Sequence, residues 1–300
     1  MFLINNDISF KSANITDNQP EKQGVVHQPI SSSANKLERT PLQGDCIDFL
    51  PSQNKRPTIF SVFVKPVLNK INQKVKEHNQ EKEIEKLNKT CERLIDNLSE
   101  TRKTFQDVFM RKDITDQETL DMIKRYHDIE MIGITGSKED YIKALFDEAK
   151  KNYGLENLPC EITIAKGDVR NDPKTLAYTD PLGGVTIKDN LKQNVIFNTI
   201  HHELRHVKQN YYAFNLDPDE FVRLSQPSNM SIPRGVFEYA YQCEPGEANI
   251  EPEYREFAQK SLESKQGYCA VSKSKFGYLA QWCEKDAFNA GDKMEALFRT

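Results

Sequence analysis

The sequence has no closely spaced cysteine pair. Its six cysteines, Cys46, Cys91, Cys160, Cys243, Cys269 and Cys283, are scattered, and none forms a CxxC unit. This excludes a zinc knuckle and a dense disulfide framework, leaving mostly reduced, packing thiols that suit a reducing compartment. An excess of basic charge is also missing. The chain carries 41 basic and 45 acidic residues, a net charge of -4, which argues against an electrostatic grip on nucleic acid or an anionic membrane. No basic cluster with interleaved aromatics is present either. No run approaches the roughly 18 apolar residues of a membrane span. The N-terminus, MFLINNDISFK, lacks the basic and apolar regions of a conventional signal peptide. The expectation is a soluble chain, cytoplasmic or exported by a non-classical route. Apolar residues make up only 37%, below the about 45–50% of compact domains, so part of the chain is expected outside any core.

Three regions follow from what is present. Residues 1–58 are rich in Asn, Gln, Ser, Pro and Lys, too polar to offset the cost of ordering, and are expected to be disordered. Such a tail serves either as a linker or as a secretion address. Over 59–135 the pattern is helical. Val64, Val67, Leu68, Ile71 and Val75 recur at helical spacing, and Ile84, Leu87, Cys91, Leu94 and Leu98 form a short a/d seam. A helical hairpin or bundle packed on the rest of the protein is expected, with a helix-mediated partner through residues 60–110 as the sharper alternative. Thr115 with Glu118, and Ser137 with Asp140, mark two helix starts, and Gly154 marks a stop. Residues 136–300 then alternate strand-like pieces (160–165, 175–180, 184–189) with helices. The pair Gly183-Gly184 reads as a hairpin turn.

The chemistry sits in one helical stretch, QNVIFNTIHHELRHVKQNYYAF, where His202-Glu203-Leu204-Arg205-His206 spell HExxH. Residues four apart stand one above the other on a helix, so two imidazoles can reach one ion from one rigid face. Glu203 is displaced by one position and can lie beside a metal-bound water without ligating the metal. Ile196, Ile200, Leu204, Val207 and Tyr211 form an apolar stripe roughly opposite the histidine pair. The helix is therefore expected to bury one side and aim both histidines elsewhere. His201, rotated by about 100° from His202, cannot share the ion and is expected at the surface or behind the ligands. Arg205 either pairs with a carboxylate or is solvated.

No histidine follows His206, and HExxHxxGxxH is absent because Gln209 and Tyr212 stand at the later positions. A downstream third ligand must be Glu, Asp or Cys. The candidates in CEPGEANIEPEYREFAQKSL are Glu244, Glu247, Glu251, Glu253 and Glu256. The pairing of HELRHVKQ with IEPEYREFAQ resembles the gluzincin division of zincin metallopeptidases and many small bacterial and phage-borne HExxH proteins. Their second helix reads roughly E-x-E-A-R-x-F-A, and its first glutamate is the ligand. Laid on this chain, that position is Glu251, with Glu247 and Glu253 as alternatives. Tyr254 and Pro252 depart from the pattern, and Pro252 suits a first helical turn that leaves Glu251 at the N-cap. The likeness covers residues 160–265.

The resemblance implies an α+β, zincin-like domain. A small mixed or antiparallel sheet packs on the HExxH helix, preceded by the helical region and the tail. It implies a Zn²⁺-dependent metalloendopeptidase acting on a protein or peptide substrate. His202, His206 and Glu251 hold the metal, and Glu203 is the general base. Tyr239 and Tyr241 are the first candidates for an oxyanion donor. Two alternatives remain: a non-catalytic, zinc-stabilised adaptor, and a secreted effector or toxin using the same chemistry.

Overall fold

Helix starts follow their caps. In the computed structural model, which describes residues 65–169, 174–226, 231–242, 250–268 and 273–299, Thr115 Oγ1 accepts the Glu118 amide at 3.2 Å and opens α3 (Asp116–Thr135). Ser137 does the same for α4 (Lys138–Asn152) through the Asp140 amide at 3.1 Å. Gly154, at φ +69°, closes α4: its amide and that of Leu155 return to the carbonyls of Lys151 and Lys150. The tail expected over 1–58 lies outside the described residues.

The region before α3 is not a hairpin. From Val67 to Leu94 the two apolar patterns fall on one continuous helix, α1 (Lys65–Asp96), followed after Asn97 by α2 (Leu98–Phe109), which Leu98 opens; Val64 lies outside the described residues. No glycine or proline stands between Val67 and Asp96 to turn the chain, so the helix-forming residues there propagate. The seam half of α1 is buried at Leu87, Cys91 and Leu94, while Val67, Leu68, Ile71 and Val75 are exposed.

The three strands are β1 (Ile162–Ala165), β2 (Ala177–Thr179) and β3 (Val185–Lys188). They form a mixed sheet in the order β1-β3-β2. β1 runs parallel to β3 with Ile162 opposite Val185, and β2 runs antiparallel to β3 with Tyr178 opposite Thr186. The turn from β2 to β3 is built by Asp180, whose Oδ1 accepts the amides of Leu182 and Gly184. Gly183 sits there at φ +89°, a conformation that favours glycine.

The HExxH segment is α5 (Gln193–Leu216), followed by α6 (Pro218–Ser225), α7 (Arg234–Tyr241), a 3-10 turn (Pro252–Tyr254), α8 (Arg255–Gln266), α9 (Lys275–Ala280) and α10 (Trp282–Arg299). The arrangement is α+β, mostly helical with one small sheet, and the described residues belong to a single compact unit, Pro57–Thr300. α10 runs antiparallel along α5. Asn198 bonds to Asp292 and Glu295 near one end, and Gln209 bonds to the carbonyl of Cys283 near the other. Gly291 permits the approach, since a Cβ there would meet the Asn198 carbonyl oxygen at 2.8 Å.

α5 is buried on every side rather than on one stripe. Ile196, Ile200, Leu204 and Val207 are fully enclosed, and so are most of the polar residues between them. His201 corrects the sequence expectation most sharply. It is fully buried among Phe109, Tyr126, Tyr153 and Phe197, and neither ring nitrogen has a partner among the described residues. Burial pushes its pKa down to about 3, so it packs as a neutral aromatic ring. Periodicity places it off the metal-facing side but cannot tell that α2, α3 and α4 cover it.

Candidate metal centre

His202 and His206 lie one turn apart on α5, with their Nε2 atoms 3.1 Å from each other. The third group to reach them is Glu284, in the first turn of α10. Its Oε2 is 3.6 Å from His202 Nε2 and 3.5 Å from His206 Nε2. The three residues form the group able to hold a metal among the described residues. Ligands about 2.0–2.1 Å from a tetrahedral zinc are separated from one another by about 3.3 Å, close to these three edges. The donor set fits for a second reason. Glu284 Oε2 is buried without a hydrogen-bond partner, an orphan that a cation facing it would satisfy.

The surroundings fix these ligands. The amide nitrogen of Gln209 donates to the Cys283 carbonyl at 3.0 Å and to Asp286 at 2.8 Å. Its oxygen is thereby turned to His206 Nδ1, 2.8 Å away. That contact favours a proton on Nδ1 and directs Nε2 at His202 and Glu284. Burial alone would disfavour the imidazolium of His206. The nearby Glu284 carboxylate outweighs it and holds the pKa up to about 9. Burial likewise opposes the Glu284 carboxylate, but the close approach of His202, His206 and Tyr278 holds it well below the usual carboxylate range. Tyr268 donates to Glu284 Oε1 at 3.2 Å, and Phe288 packs 4.5 Å from the His202 ring.

Glu203 is held separately. Thr179, at the end of edge strand β2, sends its hydroxyl to Glu203 Oε2 at 2.8 Å and lies 3.0 Å from the Glu203 carbonyl. The edge strand thus aims the carboxylate while the helix carries it. Its charge bears on His206, Tyr268 and Tyr278, which places it beside the centre.

Arg205, the motif residue with two open readings in the sequence, is buried and paired. It holds Asp286 through two bonds of 2.6 and 2.8 Å, donates to the Val108 carbonyl at 2.9 Å, and packs over the Phe257 ring. Since Asp286 also orients Gln209, the pair ties the fold to the geometry of His206. Truncation of a buried partner leaves an uncompensated charge and costs about 3–5 kcal/mol. Arg205→Met is therefore expected to lower the unfolding free energy by about that amount in urea titrations.

Glu251 is not brought to the histidines. It is exposed and precedes the 3-10 turn as its N-cap. Its charge bears on Lys208, Tyr212 and Tyr254 rather than on His202 or His206. The physical reason is the docking of the 3-10 turn that follows Glu251, whose Tyr254 packs on Tyr212. Tyr212 lies six residues beyond His206 on α5. Of the alternatives, Glu253 pairs with Lys112 and Glu256 with Lys260; Glu244 and Glu247 lie outside the described residues. The tyrosines are also displaced. Tyr239 is 72% exposed, and Tyr241 donates to the Pro181 carbonyl within an aromatic cluster with Phe214 and Phe221. The phenols beside the centre are Tyr268 and Tyr278, both acting on Glu284.

One signal in the sequence pointed to Glu284. It shares the buried stripe of α10 with Ala287, Gly291, Met294 and Phe298 at three- and four-residue spacing, and a carboxylate in such a stripe requires a partner. Cys91, Cys160 and Cys283 are buried and free. Burial pushes the thiols of Cys91 and Cys283 up to about 11, as befits packing groups. Comparison of the chain with known protein families, curated proteins and solved structures gives no match.

Proposed function

We propose that the protein is a zinc-dependent metallopeptidase of zincin-like architecture, with His202, His206 and Glu284 holding the metal and Glu203 as the general base. The observation that carries this reading is the triangle of His202 Nε2, His206 Nε2 and Glu284 Oε2, with edges of 3.1, 3.6 and 3.5 Å, beside a carboxylate that is not part of it. A zinc ion there would supply Lewis acidity and lower the pKa of a coordinated water toward about 7. Glu203, aimed by Thr179, takes a proton from the attacking water and returns it to the leaving amine. Tyr268 and Tyr278 steady Glu284, and their hydroxyls are the candidate phenolic donors for a developing oxyanion among the described residues.

One observation favours a second reading. Side-chain exposure is only 8% at His202, 17% at His206 and 2% at Glu284, which suits a metal that pins α5 to α10 without catalysis. A structural site usually takes four protein ligands, whereas a catalytic one keeps a position open. The two readings separate in one experiment on the purified chain: zinc content by mass spectrometry, together with cleavage of a peptide library. Peptidase activity lost on chelation and restored by zinc is expected. Stoichiometric zinc without cleavage of any peptide supports the structural reading.

A further inference from the structure

The first four turns of α1 are exposed along their length, although Asn72, Val75, Lys76 and Asn79 line one wall of an open groove whose other side includes Ile134, Gln193 and Arg299. Every residue from Val67 to Asn79 is exposed, and among the described residues Gln80 is the first side chain of α1 to hydrogen-bond to the body, donating to the Ile134 carbonyl at 3.0 Å. A helical stretch of this length is marginal in water by itself. It nevertheless presents four aliphatic side chains, Val67, Leu68, Ile71 and Val75, at 56, 43, 51 and 54% exposure. At about 100° per residue they share one arc of about 100°. Lys70 and Lys74 lie along one border of that arc, and Lys76 lies beyond the other. No acidic residue occurs between positions 49 and 76, whereas basic residues stand at 55, 56, 65, 70, 74 and 76. The near-neutral balance of the whole chain conceals this segregation.

We propose that this arm is a membrane-surface anchor that lies on bilayers containing anionic lipids. The aliphatic arc enters the headgroup boundary, and the bordering lysines extend their stems along it to place their ammonium groups among lipid phosphates and carboxylates. Among the described residues, no helix is long and apolar enough to cross a membrane, so the arm lies on the surface and does not span it. Two features favour lipid over a groove on an acidic protein. The arc contains only aliphatic side chains, without the Trp, Tyr or Arg that anchor protein interfaces. Two copies of the arm paired through the arc would set lysine against lysine.

The test is sedimentation of the full chain with vesicles of phosphatidylcholine alone or with roughly 30% phosphatidylserine, at two salt concentrations. Binding only to the anionic vesicles, weakening with salt, is expected. Lys70→Gln/Lys74→Gln is expected to lower the apparent affinity about 30-fold, at about 1 kcal/mol per lysine. Leu68→Ser/Ile71→Ser is expected to abolish binding. These side chains are exposed, so unchanged thermal unfolding verifies that both variants fold. The proposal is overturned if the wild type stays in the supernatant with either vesicle, which leaves the arc to an acidic protein. Equal binding to neutral vesicles, or binding indifferent to both double substitutions, overturns it as well. None of these outcomes depends on the metal.

Discussion

Glu284→Gln is expected to strip the protein of zinc, while Glu251→Ala leaves the metal content at the wild-type level. Loss of even an outer hydrogen-bond partner of a ligand lowers metal affinity by about 10–100-fold. Loss of the one carboxylate that meets both imidazoles among the described residues therefore lies at or beyond the upper end. Glutamine keeps the volume and can still meet the Tyr268 hydroxyl, so α10 should remain packed and the effect should read on metal alone. Competition with a chromogenic chelator gives the affinities, and mass spectrometry gives the stoichiometry. Zinc retained in the Glu284 variant and lost in the Glu251 variant would return the ligand to the first turn before α8. Such a result would require a different docking of α8 on α5.

The second large effect concerns Glu203. Glu203→Gln is expected to keep zinc bound and to reduce peptide cleavage by about 10²–10⁴-fold, the range for loss of a general acid–base group. Thr179 can donate to the amide oxygen as it does to the carboxylate, so the contact between β2 and α5 survives and the loss reports on chemistry. The assay is turnover of the best library peptide, or of casein, with metal content measured on the same sample. Native turnover in this variant would remove Glu203 from the mechanism.

The elements and the first half of the centre were legible in the sequence. Local rules sufficed for them: Thr115 and Ser137 cap their helices, Gly154 stops one, and Gly183 turns a hairpin. His202 and His206 share a helix face by spacing alone. Glu251 illustrates where such reasoning stops. A sequence pattern assigned it by analogy, but the carboxylate that meets the two histidines lies on a later helix, and no local rule states which acidic residue a helix pair brings opposite a given turn. The long α1 failed as a hairpin for a related reason. Two apolar stripes of different phase resemble two helices until the absence of any chain-turning residue is weighed.

What the amino-acid order determined by itself is therefore local: helix and strand positions, caps, and two imidazoles four residues apart. Packing decided what surrounds them. Antiparallel docking of α10 on α5, made possible by the small side of Gly291, sets Glu284 against the histidines and Asp286 against Arg205 and Gln209. Edge strand β2 delivers Thr179 to Glu203, and α2, α3 and α4 enclose His201. The hydrogen-bonded partners among these lie from 24 to 81 positions apart in the chain. Side-chain periodicity acts over a few turns, whereas the meeting of distant carboxylates and cations depends on how whole elements exclude water from between them.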